Sequence, residues 1–201
     1  MEFRLASVAL TLLLAASPAD AAVINVAASA NGGVASQSST LDGNGGTWGA
    51  QWVNDGQLTG NLQHTDLELQ PWVQVSFNWV YAIERVVLFN RIDCCQDRAS
   101  PLQLQLFRGD ALVSGTTLNL GSNWNSFVAP FATPIEVDRV RVAAISSGAA
   151  RYLHLREIEA YADIAVVPVP SSLVLMTAGA GMLALFRRRK ASSPMSPAHR
   201  S

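Results

Sequence analysis

An all-β sandwich of jelly-roll type is the fold class this sequence predicts for residues 22–163, and two observations predict it. Short segments alternate apolar and polar residues at period two, or form brief β-branched runs, at fairly even spacing. Clusters of Gly, Asn, Asp and Pro punctuate them, and no stretch sustains a helical period.

The first strand-like segment is residues 72–77, where Val73, Val75 and Phe77 alternate with Trp72, Gln74 and Ser76. Residues 85–89 follow as a β-branched run of the buried type. In residues 102–107, Leu102, Leu104 and Leu106 share one face, and Gln103 and Gln105 share the other. Residues 139–145 and 153–161 repeat the alternation. Trp72 is expected in the core, and His154 is expected to be structural, since it alternates with Leu153 and Leu155. Residues 31–60 are rich in Gly, Ser and Asn and contain Trp48 and Trp52. They are expected as a long loop, the kind of segment on which a rigid sandwich carries binding residues.

Both ends of the 201-residue chain read as processing segments and are set aside from the fold. Arg4, an apolar run over residues 6–16, Pro18 and the small residues Ala19 and Ala21 make residues 1–21 a secretory signal peptide cleaved before Ala22. At the other end, Pro168-Val169-Pro170 precedes an apolar Gly/Ala-rich segment and Arg187-Arg188-Arg189-Lys190. A basic cluster directly after an apolar segment acts as a stop-transfer signal and stays cytoplasmic. Residues 164–190 resemble a PEP-CTERM sorting signal, with Val169 where the name-giving motif has Glu. The resemblance implies transient residence in the inner membrane and processing by an exosortase-type enzyme, leaving 191–201 as a cytoplasmic tail. The protein is therefore expected to be exported, to the periplasm, cell surface or extracellular matrix.

Without its ends the chain is acidic. Residues 22–163 hold eight Arg and thirteen Asp or Glu, a net charge near −5, and the chain's single Lys is Lys190. Nucleic-acid binding rests on neutralising phosphates, so this balance excludes it. A divalent cation or a neutral ligand suits it. An enzyme would need a nucleophile beside a base or two carboxylates across a cleft, and no nucleophile elbow, phosphate loop or zinc spacing occurs. Arg108-Gly109-Asp110 lies between strand-like runs and reads as turn chemistry, not as an adhesion tripeptide.

The two cysteines, Cys94 and Cys95, are adjacent. In an oxidising compartment they can bond to each other, bond to another chain, or stay free. A bond between neighbours is strained, because consecutive Cα atoms lie ~3.8 Å apart, below the usual disulfide range. Arg91 and Arg98 flank the pair, with Asp93 and Asp97 placed to hold them. An Arg fork offers fixed donors suited to the hydroxyl and ring oxygens of a sugar. His64, in Gln63-His64-Thr65-Asp66, adds a directional ring nitrogen.

These residues resemble the fucolectin group of F-type lectin domains, relatives of the discoidin and coagulation-factor F5/8 type C modules. The resemblance is carried by Asn25-Val26-Ala27, residues 35–39, Asp55-Gly56, His64-Thr65, Pro71-Trp72, residues 90–98 and residues 155–160. It implies a galactose-binding-like jelly-roll β-sandwich and binding of fucose-like sugars of extracellular polysaccharide or surface glycans. By position it assigns the sugar hydroxyls to His64, Arg91 and Arg98, and it implies a Cys94–Cys95 disulfide packed against the sugar ring. It also implies a structural Ca²⁺. Asp55 and Glu157 would be its carboxylates; Asn61 and the carbonyls of Trp52, Gln57 and Arg156 are the other candidate ligands. The alternative is a non-lectin envelope or matrix protein that keeps the same Ca²⁺-stabilised fold.

Overall fold

The computed structural model describes residues 21–165. The signal-peptide and sorting-segment readings lie outside these residues, except that the first strand already begins at Ala21 and the last runs to Ala165.

The strands are β1 (Ala21–Asn25), β2 (Val34–Gln37), β3 (Gln63–His64), β4 (Trp72–Phe89), β5 (Leu102–Arg108), β6 (Ala111–Leu118), β7 (Ser126–Ala144), β8 (His154–Leu155) and β9 (Glu157–Ala165). Two of them organise the rest. The expected strands at 72–77 and 85–89 are the two halves of one strand, β4, and 139–145 is the end of the equally long β7. β4 and β7 pair antiparallel along their lengths, and the register slips between Ser76 and Tyr81 and again between Ile83 and Arg85. Such slips bend a strand sharply, so one strand can pass from one layer of a sandwich to the other.

The pairing partners sort by layer. Residues 73–76 of β4 pair with β2 and with residues 139–142 of β7; this half of β7 also pairs with β5, and β5 with β6. Residues 83–89 of β4 pair with β9 and with the first half of β7. Hydrogen bonding through β4 and β7 therefore joins both layers into one seven-stranded sheet, while β3 and β8 form a separate pair. The period-two apolar residues meet between the layers: Val73, Val75, Leu104, Leu106, Val140 and Val142 from one, Ile83, Val86, Leu88, Ile158 and Ala160 from the other. Burying each large aliphatic side chain contributes about 1.5–3 kcal/mol.

Three expectations are corrected. Trp72 alternates with buried Val73, so it lies half-buried on the outer face, where the Arg141 guanidinium covers its ring at 4.4 Å. The stretch 31–60 is not one loop: β2 is a strand of the sheet, and the remainder winds through short helical turns that include Gly45–Trp48 and Ala50–Val53. Residues 153–161 are not one strand, because the chain switches partners at Arg156, from β3 to β4.

Both termini of β4 and of β7, the start of β5 and the β3–β8 pair gather at one end of the sandwich, the loop end. The middles of β4 and β7 and the β5–β6 turn form the other, the corner end.

Candidate sugar-binding site

The site is built at the loop end from segments that are pinned by side-chain to backbone hydrogen bonds. Asn90, the residue after β4, is buried. Its Nδ2 donates to the carbonyls of Gln96 (3.0 Å) and Trp124 (3.1 Å), and its Oδ1 accepts from the Arg91 N–H (2.9 Å). One amide thus closes both ends of the 90–96 loop. Inside that loop Cys95 takes a left-handed conformation, φ 58°, which turns the chain into the helical turn Gln96–Ala99 and carries Arg98 back toward the site.

Arg91 is 8% exposed and binds Asp93 through both arms of a fork, Nε to Oδ1 at 2.9 Å and Nη2 to Oδ2 at 2.6 Å. The guanidinium holds the Asp93 carboxyl well below the usual carboxylate range. Asp93 is therefore a fixed anion that orients the Arg91 plane. Arg98 stacks on Tyr152, 5.1 Å from the ring centre. Its backbone carbonyl is clamped by Arg151, which also donates to the carbonyls of Ser100 and Ile145.

His64, 3% exposed, sits on β3 with its ring edge-on to Trp48 (5.6 Å) and Tyr152 (5.3 Å) and tilted against His154 (5.3 Å). Its Nδ1 lies 2.7 Å from the Thr65 carbonyl. A carbonyl only accepts, so Nδ1 carries the proton and Nε2 presents a lone pair. Burial, reinforced by the nearby Arg91 and Arg98 charges, pushes the His64 imidazole below its ordinary value, which keeps it neutral. Gln37 fixes the neighbouring ring by donating to the Trp48 carbonyl at 3.1 Å.

The structure thus places the neutral His64 acceptor near two cationic donors, Arg98 through the Tyr152 ring they share and Arg91 through its charge. A sugar hydroxyl both donates and accepts, so it can give its hydrogen to His64 Nε2 and take one from a guanidinium. Tyr152, Trp48, Asn90 and Arg151 support the trio. Trp48 stood open in the sequence, whereas Tyr152 and Arg151 both lie more than eighty positions from His64 and no local pattern marks them.

Cys94 is exposed and lies beside Arg91. Cys94 and Cys95 carry no bond in this structure, and their Sγ atoms face each other 2.7 Å apart. Contact with Cys95 holds the Cys94 thiol above its ordinary value.

The expected metal ligands sit beside this loop. Glu157 is 1% exposed; its Oε1 accepts from the Gly56 N–H at 3.2 Å, and its Oε2 is buried with no partner among the described residues. Burial, with the Asp55 charge adding to it, pushes the Glu157 carboxyl up to about 8. A buried carboxylate oxygen without a donor, next to a second carboxylate, is a donor set that fits a hard cation. The remaining candidates fit less closely. Asn61 turns its side chain to the Gly46 carbonyl, its own carbonyl accepts from Arg156, and no cluster of three or more His, Cys, Asp or Glu occurs among the described residues.

The family model described as a NedA-like, galactose-binding domain, of the F5/8 type C group, matches residues 52–155, just over half of the chain. A comparison with curated protein sequences gave no match. Among solved structures, the lectin domain of lectinolysin complexed with Lewis B antigen superposes with a TM-score of 0.62 at 24% identity, covering 70% of this chain and 98% of that one. A Streptococcus pneumoniae fucose-binding module gives 0.60 at 22% identity, covering 69% and 95%. A family 32 carbohydrate-binding module of C. perfringens NanJ in complex with galactose gives 0.57 at 17%, covering 70% and 99%. At these identities the structures establish the galactose-binding-like β-sandwich fold.

Proposed function

Because this chain belongs to the NedA-like, galactose-binding domain family of F5/8 type C modules, we propose that it is a carbohydrate-binding module, not an enzyme, and that His64, Arg91 and Arg98 hold a fucose-like sugar. The observation that supports this reading is a neutral His64 ring near two pre-oriented guanidinium groups, Arg91 held by Asp93 and Arg98 by the Tyr152 ring that His64 also touches. Asp93 and Tyr152 spend the freedom of the two Arg side chains before a ligand arrives, which lowers the cost of binding. Cys94 and Cys95 supply a small sulfur-rich surface beside Arg91, and oxidation to a vicinal disulfide would flatten it into a plate for the sugar's apolar face.

Asp55 and Glu157 would hold a Ca²⁺, with Asn61 and the carbonyls of Trp52, Gln57 and Arg156 as further oxygen donors. When bound, the ion would supply positive charge to Asp55 and the buried Glu157 carboxylate and fix the 54–61 loop. The module is proposed to be exported and sorted by an exosortase-type system, and its partners are polysaccharides or surface glycans.

Calorimetry or a glycan array tests the reading. Each hydrogen bond to a charged donor is worth about 1.5–3 kcal/mol, so Arg91→Ala or Arg98→Ala should each weaken binding by about 10- to 100-fold. The double variant should bind nothing measurable at this site. Unchanged affinity in both single variants would reject the site. Absence of glycan binding by the unaltered protein would favour the non-lectin scaffold.

A further inference from the structure

The corner end carries a second candidate site that the sugar site does not use. At the register slip in β4, Ser76 pairs with Arg139 and Tyr81 with Val137, so residues 77–80 bulge opposite the single residue Asp138. Phe77 folds inward against Tyr81, their rings 6.2 Å apart, and Asn78 Oδ1 accepts from the Tyr81 hydroxyl at 2.8 Å. Trp79 and Val80 are forced outward and are 72% and 45% exposed. Exposed together, the two adjacent side chains make an apolar patch, and such a patch marks a contact or ligand surface more than a single exposed residue does.

Trp79 stands over a hollow of about 430 Å³ whose other walls are Asn78, Asp138, Arg139 and the Gly109-Asp110 turn. That turn is fixed: the Gly109 N–H donates to Asp138 Oδ2 at 2.7 Å, and Arg139 Nη2 donates to the Gly109 carbonyl at 2.8 Å. Arg139 in turn lies on the Phe107 ring at 4.6 Å. The adhesion-like tripeptide has its Arg engaged, since Arg108 pairs with Glu136 at 2.8 Å. What remains presented is an indole plane, the exposed Asp110 carboxylate, the second oxygen of Asp138 and the Asn78 amide.

An aromatic face joined to a few convergent polar groups suits a ligand with one apolar face and a rim of hydroxyls. Two carboxylates against one already engaged Arg disfavour anionic ligands. β5, seven residues from loop end to corner end, separates the two sites by about 20 Å at ~3.3 Å per residue.

We propose that the Trp79 hollow is a second carbohydrate site, for neutral hexoses or their oligosaccharides, and that the domain is a two-ended binder able to bridge polysaccharide chains. The Trp79 site does not require the His64 site to be a sugar site; the bridging rests on that reading.

The test uses the full chain carrying Arg91→Ala and Arg98→Ala, titrated with glucose, mannose, galactose and their oligosaccharides while indole fluorescence is followed. The expected result is a saturable fluorescence change with at least one of these sugars, weakened at least tenfold by adding Trp79→Ala and at least tenfold weaker for glucuronate. Trp79 is exposed, so Trp79→Ala should leave the melting temperature within a degree or two. A response unaltered by Trp79→Ala, equal binding of glucuronate, or no response to any neutral sugar overturns the proposal. So does a sugar-insensitive dimer that Trp79→Ala converts to monomer, which would make the patch a contact between copies. Loss of binding in the Arg pair with retention of the Trp79 response, or the reverse, tells the two sites apart.

Discussion

The two ends of the sandwich are made by the same two strands, yet they spend polar groups in opposite ways. At the loop end Asn90, His64, His154, Arg91, Arg156 and Glu157 are all buried, and side-chain clamps take the place of ladder hydrogen bonds. At the corner end the polar residues face water and the backbone simply bulges, with Trp79 outside. A buried polar group is costly unless satisfied. Damage at the loop end should therefore be felt throughout the fold, whereas damage at the corner end should stay local.

Asn90→Ala should be the most severe break of this contrast. It strips donors from two carbonyls and the acceptor from the Arg91 N–H, and about 3–4 kcal/mol of stability should disappear in urea unfolding, at ~1 kcal/mol or more per buried bond. Arg151→Ala should follow at about 3 kcal/mol, with sugar affinity reduced as well, because the Arg98 carbonyl is released. The corner offers nothing comparable: Trp79→Ala should cost under about 0.5 kcal/mol.

Acid should act on the loop end too. Burial holds His154 down to about 3, and its two ring nitrogens lack partners among the described residues; His64 is also lowered. An unfolded His protonates near 6.5, so the unfolded state binds more protons between about pH 6.5 and 3, and stability falls as pH drops through that window. Glu157, held up to about 8, acts in the opposite direction as pH rises, so the His154 effect is read as a difference: His154→Gln should lose less stability on acidification below pH 6.5 than the unaltered protein. A profile unaffected by that substitution would remove His154 as the cause.

Calcium should sharpen the comparison more gently. At a hundredfold excess over its dissociation constant a bound ion adds about 2.7 kcal/mol, so the melting temperature should rise with Ca²⁺ and return with EDTA. Glu157→Gln should erase the response. A melting temperature indifferent to EDTA would reject the Asp55 and Glu157 site.

Much of this was legible in the sequence, for physical reasons. Period-two segments survive as strands because only alternation buries one face, and Leu102, Leu104 and Leu106 are buried as expected. Arg91 and Arg98 stood out because the segment around them is local and chemically dense, whereas His64, 27 residues upstream, joined them only through the family resemblance. The bent strands were not legible: a register slip is decided by the partner strand, and nothing in residues 77–84 announces that β4 continues through them. Trp72 was misplaced for a related reason, since alternation gives two faces without saying which is inner. Tyr152 and Arg151 became visible only when β8 paired with β3.

The course of β9 has a mechanical consequence. It pairs with β4 so that Glu157 lies opposite Phe89 at the loop end and Ala162 opposite Ile83 toward the corner. Any tether attached through the C-terminal side of β9 therefore takes hold at the corner end. A domain held that way presents His64, Arg91 and Arg98 outward, and a pull between the two ends runs along the length of the paired strands, loading their hydrogen bonds together in shear.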